Sequence, residues 1–272
     1  MAALHGNPPL RSAAGRSLSS LREINRLAPG EKEGIYLSLV PPQLAELLGV
    51  DILSGDRASV VAPEGLGLAR VTIRRAAGDR DPAFFLEIAD TPYHQIELSF
   101  CVINDPDAPR FDVDVDTSGR DNWFASMGRN VPEEVRAMQE GLFPNQVRRG
   151  MRMFSRFFPR FERFVDSLGI EMITAEPLTY DNAIRYEAYG FDYLSGRMLM
   201  NSISEGFRPG GDLTRRLDGS TPFRKPGMER TVRGRSWAIH DGVLDGAWDG
   251  VRIYKMVGRE AGVNTFPDRA ED

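Results

Sequence analysis

The chain has 272 residues, 41% of them hydrophobic and 27% charged, a composition that supports a folded protein with a sizeable core. Its formal net charge of −5 argues against a general binder of nucleic acid or anionic membrane. The single cysteine, Cys101, excludes an intrachain disulfide, and with three widely spaced histidines it gives no zinc-ligand spacing, so no metal is expected.

Residues 1–16 mix Pro, Gly, Ser and Ala without periodicity and read as a tail. They contain no continuous apolar stretch of signal-peptide length. No run of about 18 apolar residues follows that would span a bilayer. A cytoplasmic protein with no membrane partner is expected. In SLSSLREINRLAP, Leu18, Leu21, Ile24 and Leu27 recur three residues apart, which predicts a helix closed by Pro29. GIYLSLVPPQLAELLGV predicts a short strand, then a helix with Pro at its entry and Gly49 at its exit.

The middle of the chain is strand-like. ASVVAP, LARVTIRR, AFFLEIAD, HQIELSFCVIND and RFDVDVD follow one another, separated by Gly, Asp and Pro turns. In the second of these, Ala69, Val71 and Ile73 alternate with Leu68, Arg70 and Thr72. An antiparallel meander with one wet face is expected.

VPEEVRAMQEGLF then predicts a helix with Pro132 and two acids in its first turn. NQVRRGMRMFSRFFPRFERFVDSLG carries the strongest helical pattern, with Met151, Phe154, Phe158, Phe161, Val165 and Leu168 along one face. Pro159 interrupts it, so a kink or two abutting helices is expected. GIEMITAEPL reads as a strand, YDNAIRYEAYG as a short helix and FDYLSGRMLM as another strand. Residues 205–230 read as a long Gly-, Pro- and Arg-rich loop. RSWAIHDGVLDGAWDGVRIYKMVG is expected to end in a hairpin near Asp245-Gly246 or Asp249-Gly250. The fold class is therefore α+β, a mixed, mostly antiparallel sheet flanked by helices. The organisation is a tail at 1–16, a helical extension at 17–54, a core at 55–204 and a loop-plus-hairpin extension at 205–272.

The stretch YDNAIRYEAYGFDY has two readings. Asn182 can cap a helix starting at Ala183, and Gly190 can supply the left-handed residue that ends it. This accounts for the stretch without any function. The pattern N-A-x-x-Y-E-x-x-G-F, at Asn182, Ala183, Tyr186, Glu187, Gly190 and Phe191, also resembles the late signature of the GNAT superfamily of N-acetyltransferases. In that family a long helix entered through a Gly-rich turn lies roughly thirty residues upstream, where this chain has NQVRRGMRMFSRF, and a strand follows it. The resemblance covers about 145–200, with 58–144 as the preceding sheet.

The resemblance implies a GNAT-like core and acyl-CoA, acetyl-CoA or longer, as co-substrate. Its pyrophosphate would sit on the turn Gln146, Val147, Arg148, Arg149, Gly150, Met151 and Arg152, because free first-turn amides and the helix dipole favour an anion. Asn182 would hold the pantetheine arm, and Tyr186 would be the acid that reprotonates the leaving thiol. Counting from Gly150, Val147 and Arg152 stand where the family has Arg or Gln and a small residue.

FDVDVD sets Asp112, Asp114 and Asp116 at period two. This is either the solvated face of an edge strand or a carboxylate cluster that could hold Mg²⁺ or Ca²⁺ or offer a base to an amine, Asp114 or Asp116 being that base if acyl transfer occurs. Arg148, Arg152, Arg156, Arg160 and Arg163 form a solvated helix flank. The bulky Trp237, Trp248 and Tyr254 are large enough to plug a groove. The expected function is acyl-CoA-dependent N-acyl transfer to an amine of a small molecule or peptide. The alternative is a catalytically inactive GNAT-fold module for binding or scaffolding, including assembly with itself.

Overall fold

A computed structural model describes residues 6–49, 51, 57–122 and 128–267. In chain order its helices are α1 Leu21–Ile24, α2 Pro29–Leu37, α3 Pro42–Leu48, α4 Val131–Gln139, α5 Phe154–Ser167, α6 Tyr180–Glu187, α7 Arg197–Gly206, α8 Asp212–Arg215 and α9 Val232–His240. The strands are β1 Ala58–Val61, β2 Leu68–Ile73, β3 Phe84–Asp90, β4 Ile96–Ile103, β5 Met172–Ala175, β6 Asp192–Ser195 and β7 Arg252–Met256. The class is α+β with mostly antiparallel strands, hydrogen-bonded in the order β1-β2-β3-β4-β5-β7-β6. No helix among the described residues is long and apolar enough to cross a membrane.

The chain divides into two units, each discontinuous in sequence. The first comprises Met1–Asp107, Gly150–Ala175 and Lys255–Arg259. The second comprises Ala108–Arg149, Glu176–Tyr254 and Glu260–Asp272. The expected linear boundary at 54/55 lies outside the described residues.

In the first unit the described part of the expected tail is fastened. The Leu10 amide donates to the Ser167 carbonyl at 2.8 Å, and Asn7 Nδ2 donates to Asp166 Oδ2 at 2.6 Å. Ser20 caps α1, its hydroxyl accepting the Glu23 amide at 3.2 Å. Pro29 does not close this segment; it opens α2, where its missing N–H and fixed φ suit the first turn. GIYLSLV is consequently not a strand but the second half of α2 and its exit. Tyr36 is buried there, and its hydroxyl donates to Asn25 Oδ1 at 2.6 Å. Asn25 Nδ2 in turn donates to the carbonyls of Leu66 and Leu68 at 2.7 and 2.8 Å, which ties α1 to the start of β2. α3 ends at Gly49 as expected, with φ 58°.

β1 to β4 form the expected antiparallel meander. Ala69, Val71 and Ile73 of β2 are buried, as the alternation required. α5 buries Phe157, Phe158, Phe161, Phe164 and Val165, and the Phe157 ring meets Phe84 of β3 edge-on at 5.7 Å. Pro159 lies exposed within α5, which remains one helix. The helical pattern overreached at its beginning: α5 starts at Phe154, not near Asn145. Asn145 and Arg152 both take positive φ, 62° and 55°, and a helix cannot continue through residues in that region.

The second unit has its own core of Phe111, Val113, Ala137, Leu142, Phe223 and Trp237. Trp237 stacks on Phe223 at 5.1 Å and donates its indole N–H to the Leu142 carbonyl at 2.9 Å, so it is core rather than a plug. RFDVDVD forms no strand. Its apolar residues Phe111 and Val113 do turn inward, but its carboxylates are engaged locally, and Val115 pairs only in an isolated bridge with Asp121. RMLM belongs to α7, not to a strand, because Gly196 at φ 88° turns the chain out of β6. Residues 205–230 contain α8 and a 3-10 turn, Met228–Arg230. The expected C-terminal hairpin is absent: SWAIH lies in α9, capped by Thr231, and β7 pairs antiparallel with the distant β6.

Candidate functional site

In the first unit, β4 and β5 run parallel but pair only at Ile96 with Ile173 and Glu97 with Thr174. β4 then continues to Ile103 while β5 ends at Ala175. The register of β4 with β3 shifts along its length. Glu87 faces Phe100 and Ile88 faces Leu98, leaving Ser99 as an extra residue. A bulge of this kind bends its strand and raises the local twist. Beyond it, Ser99 to Ile103 are all half-buried.

The chain leaves β4 at Asn104 and meets it again at Gly150, with which Asn104 forms an isolated antiparallel bridge. Asn104 is itself anchored: its amide donates to the Ala83 carbonyl at 2.9 Å and its Nδ2 to the Pro82 carbonyl at 3.0 Å. The Met151 amide donates to the Ile103 carbonyl at 3.4 Å. A Cβ at Gly150 would stand 3.1 Å from that same carbonyl, which is the physical reason for glycine here. Arg152 is exposed and adopts φ 55° without being glycine, a strained state of the kind found at functional turns. α5 follows, and no side chain among the described residues caps its N-terminus.

The seven turn residues expected to act together divide between the units. Gly150, Met151 and Arg152 belong to the first, and Gln146, Val147, Arg148 and Arg149 to the second. Within the second, Gln146 Oε1 accepts the Phe143 amide at 2.9 Å, closing a local turn. The Val147 carbonyl accepts the Phe111 amide at 2.8 Å, and its side chain packs on the unit's core. Arg148 Nη1 donates to the Ala108 carbonyl. Arg149 is exposed.

α6 starts three residues earlier than expected, with Thr179 at its N-cap position, so Asn182 lies inside the helix and does not cap it. Gly190 has φ 79°. The Phe191 amide donates to the Tyr186 carbonyl at 3.2 Å and the Gly190 amide to the Glu187 carbonyl at 3.0 Å. These two bonds make a Schellman ending, and the ring contact that accompanies it is Tyr186 against Phe191, with centroids 4.8 Å apart. The aromatic residues and the glycine of the motif are thus one helix terminator. Glu187 is buried and accepts the Tyr193 hydroxyl at 2.5 Å.

Asp114 Oδ2 accepts from Arg110 Nη2 at 2.6 Å, and Asp112 also pairs with Arg110. Asp116 accepts the Ser118 hydroxyl at 2.6 Å and the amides of Ser118 and Arg120 at 2.8 and 3.0 Å. The Ser118 hydroxyl first, then the Arg120 amide, hold its pKa down at about 2. No group of three or more His, Cys, Asp or Glu among the described residues is arranged to hold a metal ion.

Sequence reasoning missed Ser99, which bulges against β3, and Ile103 and Asn104, which meet the Gly150 turn; nothing in HQIELSFCVIND marks which residue bulges. It also missed the partner of His240. That side chain meets buried Glu134 at 3.1 Å, and Glu134 also receives Arg129, which bridges to Asp241 at 2.8 Å. A separate cleft of about 440 Å³, lined by residues including Arg22, Asp90, His94 and Ile170, contains none of the candidate residues. No protein-family model, curated protein or solved structure matches this chain.

Proposed function

We propose that this chain is an acyl-CoA-dependent N-acyltransferase of the GNAT type. The observation that carries the reading is the Gly150 turn ahead of α5, where Gly150 bridges to Asn104 beside the Ile103 carbonyl and Arg152 takes φ 55°. The Gly150 turn and the uncapped start of α5 then offer backbone amides and a helix dipole to the pyrophosphate. Exposed Arg152 supplies positive charge.

In this reading the acceptor amine attacks the thioester carbonyl directly. The tetrahedral intermediate collapses with loss of CoA thiolate, the sulfur takes a proton from a general acid, and the ammonium proton passes to a base. The resemblance gives the acid as Tyr186 and the pantetheine contact as Asn182, both residues of the second unit. Asp116, held ionised down to about pH 2, is too weak a base for this step, which leaves Asp114 as the candidate carboxylate.

A second reading, a GNAT-shaped binding module without catalysis, is favoured by the use of Tyr186, Gly190 and Phe191 as a helix terminator. Melting of the purified protein against CoA thioesters from acetyl to long-chain separates the two. At a ligand concentration about 100 times its dissociation constant the folded state gains about 2.7 kcal/mol, a rise of about 5 °C or more for a chain of this size. Gly150→Val should abolish the rise, and Tyr186→Phe should keep it while losing turnover. A rise without turnover in the unaltered chain selects the binding module. No rise at millimolar thioester rules out the acyltransferase and leaves a module that binds protein partners instead.

A further inference from the structure

Two deeply buried charged side chains of the second unit are turned on residues 261–266, a segment with no regular secondary structure. The segment begins with the Ala261 amide donating to the Gly190 carbonyl at 3.2 Å. Further along, Glu187 holds Thr265 with both carboxylate oxygens. Oε2 accepts the Thr265 amide at 2.9 Å and Oε1 accepts its hydroxyl at 2.6 Å. The Tyr193 hydroxyl donates to the same Oε1 at 2.5 Å and fixes the carboxylate's orientation.

The next residue, Phe266, lies on the guanidinium of Arg235 at 4.4 Å, and that guanidinium also lies on Phe207 at 5.1 Å. Arg235 is 5% exposed. Its Nε donates to the Glu229 carbonyl at 2.7 Å, and its Nη1 has no acceptor among the described residues. It is therefore positioned by its own unit and presents its face to two aromatic rings.

A carboxylate that takes both the amide and the hydroxyl of one residue selects serine or threonine, since only these offer both donors from one short side chain. A guanidinium with an open face selects an aromatic residue next to it. Both groups are charged and buried, and neither is stable in an empty groove without water or a substitute segment to receive it. We infer that Glu187, Tyr193, Arg235 and Phe207 form a recognition groove for an extended hydroxyl-then-aromatic pair, filled in cis by the chain's own Thr265-Phe266 as a clasp. The inference does not depend on acyl transfer.

The test uses a fluorescein-labelled peptide of residues 260–267 and the full chain carrying Thr265→Val with Phe266→Ala, which weakens the clasp and leaves the groove intact. Fluorescence anisotropy should show the peptide binding this chain at least about tenfold more tightly than the unaltered chain, whose groove is already filled. A peptide with Thr265→Ser should bind equally well, and one with Thr265→Val about tenfold or more weakly, as expected for loss of a hydrogen bond to a charged group. Hydrogen exchange of the residue 265 amide serves as the second measurement if the double variant does not fold. That amide should exchange at least about tenfold faster in the Thr265→Val chain than in the Thr265→Ser chain. Equal binding to altered and unaltered chains, indifference to the hydroxyl, or equal exchange in the two single variants overturns the inference.

Discussion

Asp116 and Asp181 are two carboxylates with opposite surroundings. Asp116 is surrounded by donors, led by the Ser118 hydroxyl, and its pKa falls from the ordinary 3.8 to about 2. A folded value below the unfolded one gives stability that is complete above the unfolded value and is lost as pH falls through the folded one. We expect an NMR titration of Asp116 with a midpoint near 2, moving upward in Ser118→Ala; a midpoint already at 3.8 would show that the turn is not formed. Asp181 is buried, and burial raises its pKa, with Arg185 at 3.9 Å and the Ser236 hydroxyl at 3.2 Å offsetting only part of the effect. Here the sign reverses: stability is present below the unfolded value and is lost as pH rises through the folded one. Asp181→Asn should therefore raise the melting midpoint at pH 7 by about 2 °C, while leaving it little changed near pH 4. A lower midpoint at pH 7 would mean that the carboxylate's charge is needed.

At the scale of elements, α5 and α6 differ in what holds them. α5 is held by packing: its aromatic side chains cover the sheet, and Phe157 is completely buried against Phe84. Phe157→Ala should lower the unfolding free energy by about 3–5 kcal/mol, read from the urea midpoint at unchanged slope. A loss below about 1 kcal/mol would mean that the site collapses around the gap. α6 is held by its ending. Tyr186, Gly190 and Phe191 form the left-handed stop, and Asn182 sits within the helix rather than at its cap. The glycine was legible as a stop because only glycine takes that φ freely. The cap was not legible: Thr179, Asp181 and Asn182 are all acceptable N-cap residues, and only the path of the chain out of β5 selects among them.

For the whole molecule, the division into two units predicts how the chain unfolds. Trp123, Trp237 and Trp248 are its three tryptophans, and all fall within sequence ranges of the second unit. Each unit has its own buried core, so tryptophan fluorescence should follow the second unit, while far-UV circular dichroism follows both. We expect the two urea transitions to differ in midpoint. Coincident transitions would show that the chain unfolds in a single cooperative step.

Local patterns in the sequence were enough for the α+β class, the β1–β4 meander, the aromatic stripe of α5 and the glycine stops at Gly49 and Gly190. Each follows from near neighbours, through side-chain periodicity or a φ that only glycine adopts freely. Long-range pairing decided the remainder. Gly150 is drawn out of a helical pattern because it bridges to Asn104, and β7 joins β6 instead of turning on itself. RFDVDVD alternates like a strand but finds no partner strand. The Ser99 bulge exists only in the register of β4 with β3. A strand's periodicity states which side chains can share a face. Its partner, and the place where that partnership ends, depend on residues far away in the chain.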